Sequence, residues 1–194
     1  MDATSEEIVN VSRSTCLFLL LLLGGLAEAS GPRYYLMYRR VNRKLSGQVL
    51  DFTRNHGSDN RLYFPSLCQK RDMYVYLPPC FDPQKKYPLV FWLHGFAQDE
   101  MSFLEYVIKP LDRAMACGEL PPAIICAPDG SVRGRACYFA AGTFWMDTPV
   151  GGNHEQFLMK DVWDFLHENF PIRPEREAHV LAGVSMGGGT AFAK

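Results

Sequence analysis

The segment at residues 183–189, Gly-Val-Ser-Met-Gly-Gly-Gly, constrains the fold of this chain more than any other. An apolar run typical of a buried strand precedes it at residues 178–182, and small residues compatible with a helix follow it. Gly-x-Ser-x-Gly between a strand and a helix is the pattern of a nucleophile elbow, in which small residues let the chain turn tightly around a strained serine. This context predicts that Ser185 is a nucleophile, although the pentapeptide alone also suits an ordinary glycine-rich turn.

The residues after this serine raise a problem for catalysis. A serine nucleophile needs a base to accept its proton and an acid to orient that base, and with this motif both follow the serine along the chain. No His, Asp or Glu follows Ser185 in the sequence. We therefore expect the chain to be an incomplete fragment that lacks the catalytic acid and histidine, and to be nearly inactive by itself.

Composition and motif content exclude several classes of function. The 194 residues are 47% hydrophobic with a formal net charge of -1, which favours a single globular domain and argues against nucleic acid as the main partner. Glycine-rich phosphate-binding motifs are absent from the sequence. The cysteines form no C-x-x-C pair and no zinc-type spacing. The sequence implies neither a metal nor a cofactor.

The amino-terminal part resembles an export signal. Residues 16–27 form an apolar block that is shorter than the ~20 residues of a stable membrane span, and Ala27-Glu28-Ala29 follows as a cleavage signature. We interpret residues 1–29 as a secretory signal peptide cleaved after Ala29, which predicts a secreted or periplasmic protein. The alternative is a membrane anchor left uncleaved. The acidic residues before the block are unusual for a signal peptide.

Residues 30–46 and residues 47–194 are predicted to differ in character. The first range is basic without a clear period, so we expect a solvated lead-in, with weak attachment to an acidic surface as an alternative.

In residues 47–194, predicted strands alternate with two predicted helices. The first helix is expected at 102–117, interrupted near Pro110, and the second at 154–169. A long loop at 131–153 is expected to be functional. This alternation predicts an α/β fold with a mostly parallel sheet covered by helices on both faces. The strands are predicted at residues 49–52, 73–77, 89–93, 123–127 and 178–182.

Several motifs, in this order, resemble the α/β-hydrolase fold, and more narrowly the esterase D or putative esterase family. That family includes feruloyl esterases, S-formylglutathione hydrolases and mycolyltransferases. The likeness covers residues 47–194, which correspond to the amino-terminal portion of such a domain, truncated after the nucleophile elbow. The motifs are Tyr76-Leu77-Pro78-Pro79, Tyr87-Pro88-Leu89, Leu93-His94-Gly95-Phe96, Phe157-Leu158 with Asp161, and Leu181-Ala182-Gly183-Val184-Ser185-Met186-Gly187-Gly188.

The resemblance implies a secreted serine esterase that hydrolyses carboxylic esters through an acyl-enzyme on Ser185. The family's two oxyanion-binding backbone amides fall on Met186 and Phe96, and His94 matches a histidine with a structural role. The implied substrate is a small-molecule or polysaccharide-linked ester. Two alternatives stay open, namely an acyltransferase of the same fold and a non-catalytic remnant or carbohydrate-binding module.

Three aromatic residues of the long loop are candidates for substrate binding. Trp145, Tyr138 and Phe144 could line an acyl or aromatic pocket. Packing of the same rings in the core is at least as good an explanation of their presence.

Overall fold

The computed structural model describes residues 30–55, 57–139 and 142–193, with side chains from residue 34 onward. The predicted signal peptide at residues 1–29 and its cleavage site lie outside the described residues. Within them, a five-stranded sheet has the order β1-β4-β6-β5-β9, and two hairpins, β2-β3 and β7-β8, flank it. The strands are β1 (Gln48–Phe52), β2 (Leu62–Phe64), β3 (Gln69–Arg71), β4 (Met73–Leu77), β5 (Leu89–Leu93), β6 (Ile124–Pro128), β7 (Asp147–Thr148), β8 (Gly152–Asn153) and β9 (His179–Gly183).

The sheet is mixed, whereas the sequence favoured a mostly parallel one. β5 pairs in parallel with β6 and with β9, while β4 pairs antiparallel with β6 and with β1. Between β1 and β4 the described chain makes only the short β2-β3 hairpin and a single 3₁₀ turn (Pro65–Leu67). Parallel neighbours require a long crossover connection, usually a helix, so this connection leaves β1 and β4 antiparallel. The parallel part, β6-β5-β9, carries the candidate site at its carboxyl edge.

Helices cover both faces of the sheet, as the sequence predicted. Leu89, Phe91 and Leu93 of β5 point into one apolar core, while Val90 and Trp92 pack against the other. The first core is covered by α3 (His154–Gln156), a π-helical segment (Phe157–Val162) and α4 (Trp163–Asn169). The second is covered by α1 (Ser30–Asn42), a π-helical segment (Phe103–Val107) and α2 (Ile108–Ala116). α5 (Met186–Ala193) follows β9 directly.

The helix predicted at 102–117 changes its form just before Pro110, close to the predicted interruption. The π-helical segment ends at Val107, and Pro110 lies in the first turn of α2. Proline is tolerated in the first turn of a helix because the amides there have no intrahelical acceptor.

The basic lead-in differs from its prediction, because residues 30–42 form α1 and do not run free in solvent. Val41 is 2% exposed and packs in the second core. The Tyr38 hydroxyl donates a hydrogen bond to the carbonyl of Val49 at 2.9 Å, and the Val49 N–H donates to Asn42 Oδ1 at 2.8 Å. Adjacent arginines at 39 and 40 obscure the apolar spacing of this short helix in the sequence. No helix within the described residues is long and apolar enough to cross a membrane.

Candidate active site

Ser185 lies in the tight turn between β9 and α5. Its φ angle is 51°, in the left-handed region that costs a residue with a side chain on the order of 1 kcal/mol or more. The Val184 N–H donates to the carbonyl of Leu93 at 3.2 Å, and the Gly187 N–H donates back to the carbonyl of Val184 at 3.0 Å. The serine is exposed. This is the strand, strained serine and helix arrangement that the motif predicted.

Glycines let the turn lie directly against the end of β5. A Cβ atom at Gly183 would come within 2.5 Å of the Leu93 carbonyl oxygen and 2.6 Å of the Gly187 carbonyl carbon. A Cβ at Gly187 would overlap the Leu93 backbone itself. The small residues two before and two after the serine are therefore required by backbone contacts, and these contacts fix the serine relative to β5.

The loop after β5 meets this turn and brings a second backbone amide close to the serine. A Cβ on Gly95 would lie 3.4 Å from the Ser185 Cβ and 3.3 Å from the Val184 carbonyl oxygen. Phe96 follows directly, and Met186 is the first residue of α5. Amides in the first turn of a helix have no intrahelical acceptor and lie at the positive end of the helix dipole. The amides of Phe96 and Met186 thus belong to two segments that touch at Ser185.

His94 holds this loop through both of its ring nitrogens. Its Nδ1 donates to the Gly95 carbonyl at 2.9 Å, and its Nε2 accepts from the Gly130 N–H at 2.9 Å. The side chain is almost completely buried. With both nitrogens engaged by the backbone, the imidazole cannot act as the base for Ser185. Its geometry is that of a structural tie between the loop after β5 and the end of β6.

Sequence reasoning missed the residues that support His94. Asp129, directly after β6, is fully buried, with Oδ1 3.6 Å from His94 Nε2 and Oδ2 3.4 Å from Arg71 Nη1. Burial opposes ionisation of Asp129, but the charge of Arg71 and a hydrogen bond from Ser131, whose N–H donates to Oδ1 at 2.9 Å, favour the carboxylate, and the pKa of Asp129 lies below its usual range. Gln98 accepts the Gly95 N–H at 2.9 Å. The only sequence signal for Asp129 was its place in the Pro-Asp-Gly turn that closes a strand.

Three more acids near Asp129 have a raised pKa. Burial raises the pKa of Asp72 to about 6, that of Asp99 above its ordinary value, and that of Glu100 well above it; the Asp129 carboxylate adds to each shift. Asp72 accepts the Arg54 N–H at 2.9 Å. These acids help to hold the loops at this edge of the sheet in place. Within the described residues, no hydrogen bond joins any of them to the Ser185 hydroxyl.

The structure separates the three aromatic candidates of the long loop. Phe144 is 54% exposed, and its N–H donates to Met186 Sδ at 3.3 Å, so it lies beside the candidate oxyanion site. Tyr138 is 81% exposed. Trp145 is fully buried, and its ring lies against Gly130 and His94. The Trp145 ring therefore packs in the core behind the site, which is the alternative that the sequence left open for these rings.

A small cavity lies next to these residues. Its volume is about 20 Å³, enough for a single water molecule. Phe96, Met186, Arg135 and Cys137 are part of its lining, together with the His94 and Gly130 turns. Phe96 and Met186, the residues that carry the two candidate amide donors, therefore border the same cavity.

The fold and this turn are those of an α/β-hydrolase. The family model described as "Putative esterase" matches residues 65–193, and the chain belongs to that family. Endo-1,4-beta-xylanase Y of Acetivibrio thermocellus is 36% identical over 127 residues, which are 63% of this chain and 11% of that protein.

Two solved structures are similar as well. A ferulic acid esterase matches 75% of this chain and 51% of its own with a TM-score of 0.62 and 28% identity. The CE1 ferulic acid esterase of the anaerobic fungus Anaeromyces mucronatus matches 74% of this chain and 51% of its own with a TM-score of 0.55 and 26% identity. The latter enzyme has also been solved in complex with ferulic acid. The chain thus spans about half of the length of the solved structures it matches.

Proposed function

We propose that this protein is a serine esterase that hydrolyses carboxylic esters through an acyl-enzyme on Ser185. The observation that carries the proposal is the contact between the strained turn at Ser185 and the loop at Gly95 and Phe96. It brings a candidate nucleophile and two candidate amide donors, those of Phe96 and Met186, to one place. Membership of the esterase family supports the same reaction class.

In the proposed reaction, the Ser185 oxygen attacks the carbonyl carbon of the ester. The carbonyl oxygen becomes an oxyanion that accepts hydrogen bonds from the Phe96 and Met186 amides. Each such donor typically lowers the activation barrier by ~3 kcal/mol. The alcohol leaves with a proton, and water then attacks the acyl-enzyme to release the acid and the free serine.

The proton transfers need a base that the described residues do not place on Ser185. His94 is engaged at both nitrogens, and no other side chain within the described ranges forms a hydrogen bond to the serine hydroxyl. We propose that the catalytic acid and histidine belong to sequence beyond residue 194. The half-length match to the solved relatives supports this part of the proposal.

The proposed substrate is an ester of an aromatic acid, either free or attached to a polysaccharide. The half-exposed ring of Phe144 beside Met186 supplies an apolar surface for such an acyl group. Two relatives that act on ferulic acid esters by name support the same class. Export of the protein is proposed on the apolar block and the Ala-x-Ala signature at residues 16–29.

The test compares the natural full-length protein with its Ser185→Ala variant, using methyl ferulate hydrolysis and covalent labelling by a fluorophosphonate. We expect Ser185→Ala to lower kcat/KM by on the order of 10⁴-fold or more and to abolish labelling. Ser58→Ala is the control, because Ser58 is an exposed serine far along the chain from the turn. Equal labelling of wild type and Ser185→Ala would refute the proposal. Adding a carbohydrate acceptor and measuring transferred acyl groups distinguishes an acyltransferase.

A further inference from the structure

Two histidines meet at the end of β9 that is opposite to Ser185. The Nε2 atoms of His167, in α4, and His179, the first residue of β9, are 3.1 Å apart. Both rings lie on the indole of Trp163, each with its centroid 4.5 Å away. Both side chains are only partly buried, so solvent reaches the pair.

The opposite nitrogen of each ring is held by a backbone carbonyl. His167 Nδ1 lies 3.0 Å from the carbonyl of Trp163, and His179 Nδ1 lies 2.8 Å from the carbonyl of Glu175. A carbonyl oxygen only accepts, so each Nδ1 must carry the hydrogen. In the neutral rings, each Nε2 therefore presents a lone pair, and the two lone pairs face each other at 3.1 Å. A cation between the two nitrogens would relieve the repulsion between these lone pairs.

We propose that His167 and His179 form a binding site for one divalent ion of the copper, nickel and zinc class. Imidazole nitrogens are preferred ligands of these metals, whereas magnesium and calcium take oxygen ligands. Metal-binding histidines commonly donate their other N–H to a backbone carbonyl, as both histidines do here. Two metal–nitrogen bonds of about 2.0–2.1 Å at a tetrahedral angle place the nitrogens about 3.3 Å apart, close to the 3.1 Å present.

The site offers two protein ligands and is open to solvent. Within the described residues, no cluster of three or more His, Cys, Asp or Glu side chains could hold a metal ion. Water or an external ligand would fill the remaining positions, so we expect weaker binding than at a structural zinc site with four protein ligands. The bound metal would join α4 to β9, the edge strand of the described sheet.

The metal would not touch the candidate active site. His179 begins the five-residue strand β9 and Ser185 lies in the turn after its end, so the length of the strand, roughly 13 Å, lies between them. His179 pairs with Leu89 at the start of β5, whereas Gly183 pairs with Leu93 at its end. Metal binding is therefore expected to raise thermal stability without competing with an ester substrate.

The experiment titrates the intact protein with Ni²⁺ and Zn²⁺ by calorimetry and follows the melting temperature. We expect one equivalent to bind and the melting temperature to rise with the logarithm of the free metal concentration above the dissociation constant, as linkage requires. His167→Ala and His179→Ala should each weaken binding by about tenfold or more and remove the stabilisation. Glu168→Ala, at an exposed position next to His167, is the matched control and should bind as the wild type does.

Two outcomes would overturn the proposal. The first is equal metal affinity in the wild type and both histidine variants, which would assign the metal to another part of the protein. The second is a Zn²⁺ titration in which the ¹⁵N resonances of both rings stay unchanged, which would mean that a shared proton alone lies between them. His167→Gln, whose amide can still reach the Trp163 carbonyl, serves if His167→Ala fails to fold.

Discussion

The turn at Ser185 and the loop at residues 131–153 flank the same site but are held in place in different ways. At the turn, glycines bring backbone against backbone, so that Gly183 and Gly187 lie on Leu93 with no space for a Cβ. The described residues of the loop are held by side chains. Trp145 fills the core behind the site, and the Thr143 hydroxyl donates to the Gly130 carbonyl at 2.8 Å.

Both regions contain backbone strain, and the difference is in what compensates for it. Ser185 has a φ of 51°, and Phe144 and Trp145 have φ angles of 50° and 53°. The strain at Ser185 is maintained by a continuous strand before it and a helix after it. The strain at Phe144 and Trp145 is maintained by burial of one large ring and by the Thr190 hydroxyl, which donates to the Phe144 carbonyl at 2.9 Å. The loop should therefore be sensitive to one side chain, and the turn to any added atom.

Replacing Trp145 should produce the largest effect on stability. Trp145→Ala removes a fully buried ring and leaves a cavity next to His94, so we expect a loss of about 4 kcal/mol in the free energy of unfolding. Tyr138→Ala, at an 81% exposed position of the same loop, should change it by less than about 0.5 kcal/mol. Urea denaturation of both variants measures the two values. Similar losses in the two variants would mean that the loop is not anchored by Trp145.

Adding one methyl group at the turn should cost nearly as much. Gly187→Ala places a Cβ on the backbone of Leu93, which cannot move without disturbing the sheet, so we expect a loss of about 3 kcal/mol and of ester hydrolysis. Gly189→Ala is the matched control. Nothing lies within 4 Å of a Cβ there, and alanine should stabilise α5 by up to ~1 kcal/mol. An active, stable Gly187→Ala protein would show that the turn does not depend on this close contact.

The same difference explains what the sequence could predict. The turn was predictable because backbone sterics restrict positions 183 and 187 to small residues. A continuous apolar run likewise predicted β5 at residues 89–93, which are its observed bounds. The role of Trp145 was not predictable, because an aromatic residue in a loop has the same sequence signal whether its ring points into the core or into a pocket. The helix α1 and the Arg71–Asp129–His94 cluster could not be predicted either, because both depend on contacts between residues that are far apart in the sequence.

His154, which follows the loop directly, should make stability depend on pH. It is fully buried, neither ring nitrogen has a hydrogen-bond partner within the described residues, and burial, together with the charge of Arg71, lowers its pKa to about 4. Because its unfolded pKa is near 6.5, folding excludes a proton below that pH, so stability should fall as the pH decreases from about 6.5 towards 4. At pH 5 this loss amounts to about 2 kcal/mol.

His154→Phe tests this contribution because it keeps an aromatic ring against Phe157 and removes the titration. We expect the difference in unfolding free energy between pH 8 and pH 5 to shift by about 2 kcal/mol in favour of pH 5 relative to the wild type. Asp72→Asn should shift the same difference in the opposite direction. The raised pKa of Asp72, about 6, stabilises the fold below pH 4 and is lost as the pH rises through 6. An unchanged pH profile in His154→Phe would contradict the assignment.

Phe144 should give the smallest effect, and one that appears in substrate binding and not in folding. Its ring is 54% exposed beside Met186, so Phe144→Ala should change stability little but raise KM for methyl ferulate by about fivefold, equivalent to about 1 kcal/mol of lost aromatic contact. KM for ethyl acetate, which has no ring, should stay within twofold because the small acyl group does not reach the phenyl surface. Phe139→Ala is the control, since that ring is fully exposed elsewhere in the loop. If both substrates lose affinity equally, Phe144 supports the position of Met186 and does not contact the acyl group. The geometry of the site would then depend on the loop as well as on the turn.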